Sequence, residues 1–285
     1  MIVTLRNEAF TVMADSTGAE LQSVCCRGRE RLWQNENGSW SGHAPILFPV
    51  CGATAMRLGG RLYPCPRHGF AKNAHFSVPE QSETSVRFRL VSDDATMEMY
   101  PFSFCFDVVY ALTSDVLSVA YEIRNTGSGV LPASCGGHDS FALSGDVSGY
   151  ALRFAEPERL DDYLTDANGR VTGKTELLGV GEILDLATPL LDNGGSICLD
   201  HLNSRAVTLF AKTTGETVAR VEFPETGKLV LWHPSGSRML CIEPWQTLPD
   251  TVGETLDFPE KDGVLTIPAG ATVRVTRRIT YGDAT

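Results

Sequence analysis

Phe104-Cys-Phe-Asp-Val-Val-Tyr-Ala-Leu112 and Val116-Leu-Ser-Val-Ala-Tyr-Glu-Ile-Arg124 are two runs rich in β-branched and aromatic residues, separated only by Thr113-Ser114-Asp115. Two such runs joined by a short polar turn predict a β-hairpin. This hairpin and the similar runs on both sides of it are the basis for predicting the fold class.

Runs of the same kind recur on both sides of it. They are Ile2–Leu5, Phe10–Met13, Glu20–Val24, Ser85–Val91, Ala206–Phe210, Val218–Phe223, Lys228–Trp232, Met239–Ile242, Val264–Ile267 and Ala271–Ile279. No segment keeps an apolar period of 3.6 residues for more than about two helical turns. Regular strand spacing without alternating helices predicts an all-β protein of large, packed antiparallel sheets.

The chain has 285 residues, 42% hydrophobic and 21% charged, which is enough apolar material for a substantial core. We find no Pro-rich or Ser-rich linker and no break in composition, so residues 1–285 are expected to form one domain. The stretch from Ala155 to Leu191 is the most polar and irregular part of the chain. It is interpreted as a loop-rich connection over the sandwich rather than a domain boundary.

The net charge of −11 argues against nucleic acid or an anionic membrane surface as a partner. No run approaches the roughly 18 apolar residues of a membrane span, and the start of the chain lacks the order of a signal peptide. We therefore expect a cytoplasmic protein whose eight scattered cysteines are reduced. The chain has neither Cys-x-x-Cys nor His-Glu-x-x-His, so no metal and no cofactor are expected.

Three ionisable residues stand out as candidates for a site. Glu243 follows the apolar run Arg238-Met-Leu-Cys-Ile242 and precedes Pro244-Trp245, while His68 and His138 each lie beside glycine and shortly before a phenylalanine. A carboxylate lifted out of water gains basicity, and an indole offers a flat apolar face to a sugar ring. A carboxylate and two imidazoles from distant strand ends predict an enzyme site for a neutral ligand.

With these residues in view, the chain resembles the aldose 1-epimerase (galactose mutarotase) family, most closely its LacX-like branch. The resemblance rests on Pro45-Ile-Leu-Phe-Pro-Val-Cys-Gly52, Pro66-Arg-His-Gly-Phe-Ala71, Tyr100-Pro-Phe-Ser-Phe104, Gly136-Gly-His138 with Phe141, and Cys241-Ile-Glu-Pro-Trp245 followed by Pro249-Asp250. It implies a β-supersandwich that binds a monosaccharide. It also implies that Glu243 is the catalytic base, that His138 is the acid, and that His68 helps to seat the sugar.

The chain departs from the family pattern at two positions near these motifs. Ala53 stands where many relatives have an arginine that holds a sugar hydroxyl, and Arg57 is the candidate to reach the same space. Asp139 stands where relatives usually have proline, and we expect it to be an outward-facing turn carboxylate. For Trp245, stacking on the sugar and plain core packing both stay open.

The expected reaction is interconversion of the α and β anomers of a free aldohexose by acid–base ring opening. A non-catalytic monosaccharide-binding protein on the same scaffold is the alternative. A glycoside hydrolase would need two carboxylates, with Asp139 and Asp250 as the candidates beside the motifs. Arg67, Lys72 and Arg57 form too thin a basic cluster for a sugar phosphate. Whether the chain is a monomer or a homodimer stays open.

Overall fold

The computed structural model of the chain describes residues 1–192 and 195–282, with 52% of residues in strands and 6% in helices. The predicted all-β class is therefore confirmed. The strands in chain order are β1 Ile2–Arg6, β2 Phe10–Asp15, β3 Leu21–Cys26, β4 Arg29–Glu30, β5 Ile46–Leu47, β6 Met56–Leu58, β7 Arg61–Tyr63, β8 Ser77–Gln81, β9 Ser85–Val91, β10 Phe104–Thr113, β11 Val116–Asn125, β12 Leu131–Ala133, β13 Gly136–Gly137, β14 Asp139–Ala142, β15 Tyr150–Thr165, β16 Val171–Asp185, β17 Ser196–Leu199, β18 Ala206–Ala211, β19 Thr217–Glu222, β20 Lys228–Trp232, β21 Met239–Trp245, β22 Leu265–Ile267 and β23 Thr272–Tyr281.

The helices are few and short. They are α1 Asp94–Met99, α2 Pro189–Asp192 and 3-10 turns at Ala71–Asn73, Val147–Gly149 and Phe258–Glu260. Among the described residues, no helix has the length and apolar character needed to cross a membrane.

Most strands belong to one 15-stranded sheet with the order β5-β13-β21-β20-β17-β15-β18-β19-β23-β11-β10-β9-β8, in which β14 also pairs with β21 and β16 with β15. Strands β1 to β4 form a second sheet, and two further sheets have two strands each. In the described part of the chain, each pairing between two of these strands is antiparallel. The large antiparallel sheets expected from the strand spacing are therefore present.

The predicted central hairpin is formed by β10 and β11, which pair along their whole length around a turn at Ser114 and Asp115. Ser114 takes the left-handed conformation, with φ +51°. Alternate residues of β10, namely Phe106, Val108 and Tyr110, are fully buried in the main hydrophobic core. The strand thus packs one face against the core, as the apolar alternation predicts.

The interpretation of Ala155 to Leu191 as a loop-rich connection is wrong. Most of this stretch forms a long hairpin of β15 and β16, interrupted by three shifts of register. β16 pairs with no other named strand in the described part of the chain, and Leu177, Val180 and Ile183 on it are exposed. An edge strand exposed to water needs no apolar alternation, and bulges break the period of two, so the pattern did not indicate strands.

Four neighbouring strands of the large sheet, in the order β21, β20, β17 and β15, contribute lining residues to a cleft, and His138 joins them from the end of β13. They come from widely separated parts of the sequence. The side chains that point from these strands to the same face therefore meet although they are far apart along the chain.

Candidate active site

Glu243 lies on β21, and His138 lies in the gap of a single residue between β13 and β14. Gly136 pairs with Trp245, and in this register the residue opposite Glu243 is His138. Nε2 of His138 is 3.4 Å from Oε2 of Glu243. The sheet thus brings together the two residues to which the sequence analysis assigns the base and the acid.

Both members of this pair are buried. The Glu243 side chain is 1% exposed and the His138 side chain 12%. Burial raises the pKa of Glu243 well above its usual range, and the negative charge of Asp139 acts in the same direction. Burial lowers the pKa of His138 to about 3. The surroundings therefore favour a neutral carboxyl beside a neutral imidazole.

His68 reaches the same cleft from the Arg67-His68-Gly69 turn. The backbone of His68 is left-handed, with φ +65°, and its N–H donates to the carbonyl of Gly52 at 3.0 Å. Gly69 lies so close to the chain that a Cβ there would come within 1.9 Å of the carbonyl oxygen of Phe48. Because only glycine fits at this contact, the turn holds His68 in a defined position.

The hydrogen bonds of the His68 ring indicate its tautomer. The Gly52 N–H lies 3.2 Å from Nδ1, and Nε of Arg67 lies 3.3 Å from Nε2. Burial lowers the pKa of His68 to about 2, so the ring is neutral and accepts at only one nitrogen. We assign acceptance to Nδ1, because its donor is a fixed backbone amide. Nε2 then carries the proton and is a donor for a ligand.

Aromatic rings surround the two histidines. Trp40 stacks on His138 with ring centroids 5.1 Å apart and 23° between the planes, and Trp232 meets His138 edge-on at 5.7 Å. Trp245 lies 5.5 Å from His68, and its Nε1 donates to the carbonyl of Gly137 at 3.2 Å. Trp245 is 3% exposed, and stacking of its ring on a sugar stays a prediction.

The cleft has a volume of about 730 Å³, within the usual range for a small-molecule site. Its lining combines aromatic, imidazole and carboxylate side chains. The residues are Trp40, Arg67, His68, His138, Asp162, Leu164, Thr165, Asp166, Ala167, Gly169, Leu190, Gly195, Ser196, Val230, Trp232, Glu243 and Trp245.

Arg57 is not among the residues that line the cleft. It lies on β6, and its Nη1 donates to the carbonyl of Gly60 at 3.4 Å. The arginine that does line the cleft is Arg67, whose guanidinium packs against Gly169. Sequence proximity to the Ala53 position favoured Arg57, whereas Arg67 reaches the cleft because it precedes His68 in the turn.

The expectation that Asp139 faces outward is wrong. Its side chain is 1% exposed and forms an ion pair with Arg277, from Oδ2 to Nε at 2.6 Å. Arg277, which is 3% exposed, also donates to the hydroxyl of Tyr121. Asp139 pairs with Ile242 on β21, so its side chain points to the face opposite Glu243. The ion pair lies behind the cleft, and Asp139 is not part of its lining.

Asp250, the other carboxylate considered for a hydrolase, also lies outside the lining of the cleft. Its Oδ1 is 2.7 Å from Nζ of Lys261, and its Oδ2 accepts from the N–H of Ala55 at 2.8 Å. Both oxygens therefore serve to tie loops together. Neither carboxylate proposed for glycoside hydrolysis faces the cleft.

Sequence reasoning did not identify four residues of the lining as site residues, namely Arg67, Trp40, Trp232 and Asp162. No motif marked Trp40 or Trp232. Asp162 lies on β15, inside the stretch that was interpreted as loop, so its position on the sheet was hidden. The signal that could have found it is a pair of carboxylates, Asp161-Asp162, between apolar residues in a strand-length segment.

One group of residues has the spacing of metal ligands. Among the described residues, ligand atoms of His138, Cys241 and Glu243 lie within 4.8 Å of one another. Such a set suits a soft divalent ion, which would need the cysteine as thiolate. Burial raises the pKa of the Cys241 thiol well above its usual range, which disfavours that form.

The large antiparallel sheets give the chain the galactose mutarotase-like fold. The crystal structure of a galactose mutarotase-like protein from Lactobacillus casei ATCC 334 superposes with a TM-score of 0.91 and 28% identity, over 98% of this chain and 99% of that one. The structure of a galactose mutarotase related enzyme from Lactobacillus acidophilus gives a TM-score of 0.87 at 24% identity, over 100% and 98%, and shows the shared fold.

The chain belongs to the aldose 1-epimerase family, whose model matches residues 1–261. Its sequence is similar to that of the chromosomal LacX protein of Lactococcus lactis subsp. lactis. The two are 31% identical in an alignment of 278 positions. The alignment covers 89% of this chain and 90% of that protein. The plasmid-borne LacX protein of the same organism is 30% identical over the same length.

Proposed function

We propose that the protein is an aldose 1-epimerase that interconverts the α and β anomers of a free aldohexose. In ring opening, the C1 hydroxyl gives its proton to the Glu243 carboxylate, C1–O1 becomes a carbonyl, and the C1–O5 bond breaks. O5 takes a proton from the His138 imidazolium. Rotation about C1–C2 and reclosure through the same two groups invert the anomeric centre and restore both proton states.

The observation that carries the proposal is the 3.4 Å separation between Oε2 of Glu243 and Nε2 of His138. The two oxygens that exchange protons with the enzyme are bonded to the same carbon of the sugar. A base and an acid that serve them must therefore both reach the C1 end of the ring, which two groups 3.4 Å apart can do. Family membership supports the same chemistry.

The electrostatics of the cleft bear on the proton transfer, because in ring opening the pair passes from its ionised form, which the surroundings disfavour, to its neutral form. Before ring opening Glu243 is ionised and His138 is protonated, and afterwards both are neutral. Burial raises the pKa of Glu243 and lowers that of His138, so both shifts favour the neutral state that follows transfer. Neither step calls for a metal or a nucleotide.

The remaining residues of the cleft have binding roles in this proposal. His68 donates from Nε2 to the sugar, since its Nδ1 is occupied by the Gly52 amide. Trp245 offers its indole face to the C–H side of the ring. Arg67, rather than Arg57, is the arginine within reach of a bound ligand.

Polarimetry with freshly dissolved α-D-galactose and α-D-glucose tests the proposal. The wild-type protein should accelerate equilibration, and Glu243→Gln and His138→Asn should each lower kcat by about 10²- to 10⁴-fold. Glu83→Gln is the matched control, because Glu83 is exposed and outside the cleft. Circular dichroism must show that all variants are folded, since loss of a buried polar group also destabilises a protein.

A wild-type protein that binds the sugars without accelerating their equilibration would overturn the proposal and support the binding-protein alternative. No sugar binding at all would overturn both.

A further inference from the structure

Arg277 is a buried arginine that lies behind the cleft. Its side chain is 3% exposed, and its strand β23 is separated from β21 by five other strands in the order of the large sheet. The guanidinium therefore reaches the back of the candidate site from a distant part of the sheet. An arginine keeps its charge even when buried, so its contacts must compensate for the loss of water.

The residues on either side of His138 face Arg277. In the pairing with β21, His138 is level with Glu243. Side chains alternate between the two faces of a strand, so Gly137 and Asp139 both face away from the cleft. Arg277 lies on that side of the sheet.

The Arg277 guanidinium contacts both of these neighbours. Its Nε is 2.6 Å from Oδ2 of Asp139, and its Nη2 donates to Oδ1 at 2.9 Å. Gly137 lies so close that a Cβ there would be 2.5 Å from Cζ of Arg277. The guanidinium is itself held by Tyr121, whose hydroxyl accepts from Nη1 and whose ring centroid is 5.2 Å from Cζ. These contacts restrain the backbone on both sides of His138.

The orientation of the His138 ring depends strongly on that backbone. A catalytic histidine is often oriented by a carboxylate or carbonyl that accepts from its second ring nitrogen. Nδ1 of His138 is buried and has no hydrogen-bond partner within residues 1–192 and 195–282. Contacts with neighbouring rings, such as the stacked Trp40, and the restrained backbone must therefore hold the imidazole in place.

We infer that Arg277 is a positioning residue, which fixes the catalytic imidazole of His138 through Gly137 and Asp139. The inference rests on the proposed function and concerns the geometry of the same site. Proton transfer to the ring oxygen requires a well-placed imidazole, and a displacement of about 1 Å can lower a rate by about 10²-fold. Arg277 acts without touching the ligand, because it is not part of the lining of the cleft.

A purely structural role for Arg277 predicts a different result. A buried ion pair often stabilises a fold no more than well-packed apolar side chains of similar volume. If Arg277 and Asp139 only filled the core, apolar replacements of both would leave catalysis intact. If Arg277 positions His138, the same replacements would lower kcat in a protein that is still folded.

The double variant Asp139→Leu with Arg277→Met makes this test, because it removes both charges and leaves neither unpaired. Polarimetry with α-D-galactose should show kcat lowered by about 10- to 100-fold and KM within about threefold of the wild type, since Arg277 does not face the ligand. Arg277→Lys keeps the charge but not the planar fork, so its kcat should lie between the two. Circular dichroism and thermal melts establish folding. A folded double variant with the kcat of the wild type overturns the inference.

Gly137→Ala tests the same contact with both charges kept. Gly137 is not among the residues with positive φ, and the three nearest atoms to its Cβ would all belong to Arg277. Because the guanidinium or the strand must shift, kcat should fall by about tenfold or more, and the loss should be smaller in the Arg277→Lys background. Gly179→Ala is the matched control, because Gly179 is also in a strand and has open space around it. An unchanged kcat in Gly137→Ala contradicts the role of Arg277.

The two proposals fail in different ways. If the wild type does not accelerate the equilibration of galactose or glucose, the proposed function fails. If the wild type is active and the double variant keeps its kcat, only the role of Arg277 fails. Arg274→Met is the control on the same strand, because Arg274 is exposed and pairs with Glu122 at 2.8 Å, and its kcat and KM should equal those of the wild type.

Discussion

Asp139 and Glu243 are buried carboxylates on adjacent strands, and their partners give them different tasks. Asp139 is compensated by the full charge of Arg277, with contacts at 2.6 and 2.9 Å. Glu243 lies beside the His138 imidazole, with Oε2 3.4 Å from Nε2. The guanidinium fixes the Asp139 carboxylate in place, whereas a carboxylate beside an imidazole can exchange a proton with it. The two carboxylates lie on opposite faces of one sheet, and only Glu243 faces the cleft.

Removal of the Asp139 charge should destabilise the protein strongly. Asp139→Asn leaves Arg277 buried without its counter-ion, which typically costs about 3–5 kcal/mol in the free energy of unfolding. Urea denaturation followed by circular dichroism measures this loss. The control is Asp161→Asn, which breaks the exposed pair with Arg159 and should cost no more than about 1 kcal/mol. Equal losses in the two variants would contradict the role given to the Asp139–Arg277 pair.

The pH dependence of kcat/KM should be bell-shaped, because the reaction requires one proton on the Glu243–His138 pair. Below the acidic limit, near the His138 pKa of about 3, the pair takes a second proton and the base is lost. Above the raised pKa of Glu243 the pair loses its last proton and the acid is lost. Polarimetry across pH, corrected for the spontaneous rate, measures both limbs.

His138→Asn should reverse the change of activity with pH on the alkaline side of the profile. With the imidazole gone, the only remaining requirement is an ionised Glu243, so residual activity should rise with pH through the raised pKa of that carboxyl. In the wild type activity falls over the same range. A variant whose profile keeps the wild-type shape would show that His138 is not the titrating acid.

At the scale of elements, the backbone of the Arg67-His68-Gly69 turn positions the His68 side chain in the cleft. Gly69→Ala should destabilise the protein and raise KM, because its Cβ would lie 1.9 Å from the carbonyl oxygen of Phe48 and the turn would have to move. Gly28→Ala is the control. Gly28 has a similar φ of +77° with open space around it, so it carries only the left-handed penalty of about 1–2 kcal/mol.

Thermal melts and KM for galactose compare the two glycine variants. A loss in Gly69→Ala no larger than in Gly28→Ala would show that the close approach to Phe48 is not needed.

The long hairpin of β15 and β16 could not be predicted from the pattern of apolar residues. Apolar alternation identified β10 and β11, because each has one face in the core. β16 lies at an edge, and β15 has buried polar residues such as Glu158 and Asp162. Polar residues at buried positions remove the periodic apolar signal that indicates a strand. The same segment that escaped prediction as strand therefore contains Asp162.

At the scale of the whole molecule, strands from distant parts of the sequence alternate in the large sheet. β5, β13 and β21 are neighbours, although they come from the first, middle and last parts of the chain. Residues 1–285 are proposed to form one domain on this basis. Calorimetry should therefore show one unfolding transition whose van't Hoff and calorimetric enthalpies agree. Two separable transitions would contradict the single domain.

The residues of the candidate site that lie in short sequence motifs could be predicted from the sequence. Glu243, His138, His68 and Trp245 lie in short motifs that carry their own signature, and all four line the cleft. Arg57 was chosen because it lies near Ala53, where many relatives have an arginine. The arginine that lines the cleft is Arg67. Which arginine or aspartate lies in the cleft depends on turns and on neighbouring strands. The local sequence does not show which turns and strands meet there.

The arrangement of tryptophans around the cleft has a practical consequence. Three of the four in the chain, Trp40, Trp232 and Trp245, line it, and the fourth, Trp33, is buried behind them with its Nε1 donating to the carbonyl of Trp40. A molecule entering the cleft replaces water around Trp40 and Trp232, which are partly exposed, and changes the surroundings of Trp245. Occupancy should therefore be readable from the intrinsic emission spectrum of the unlabelled chain, with Trp33 supplying a constant background.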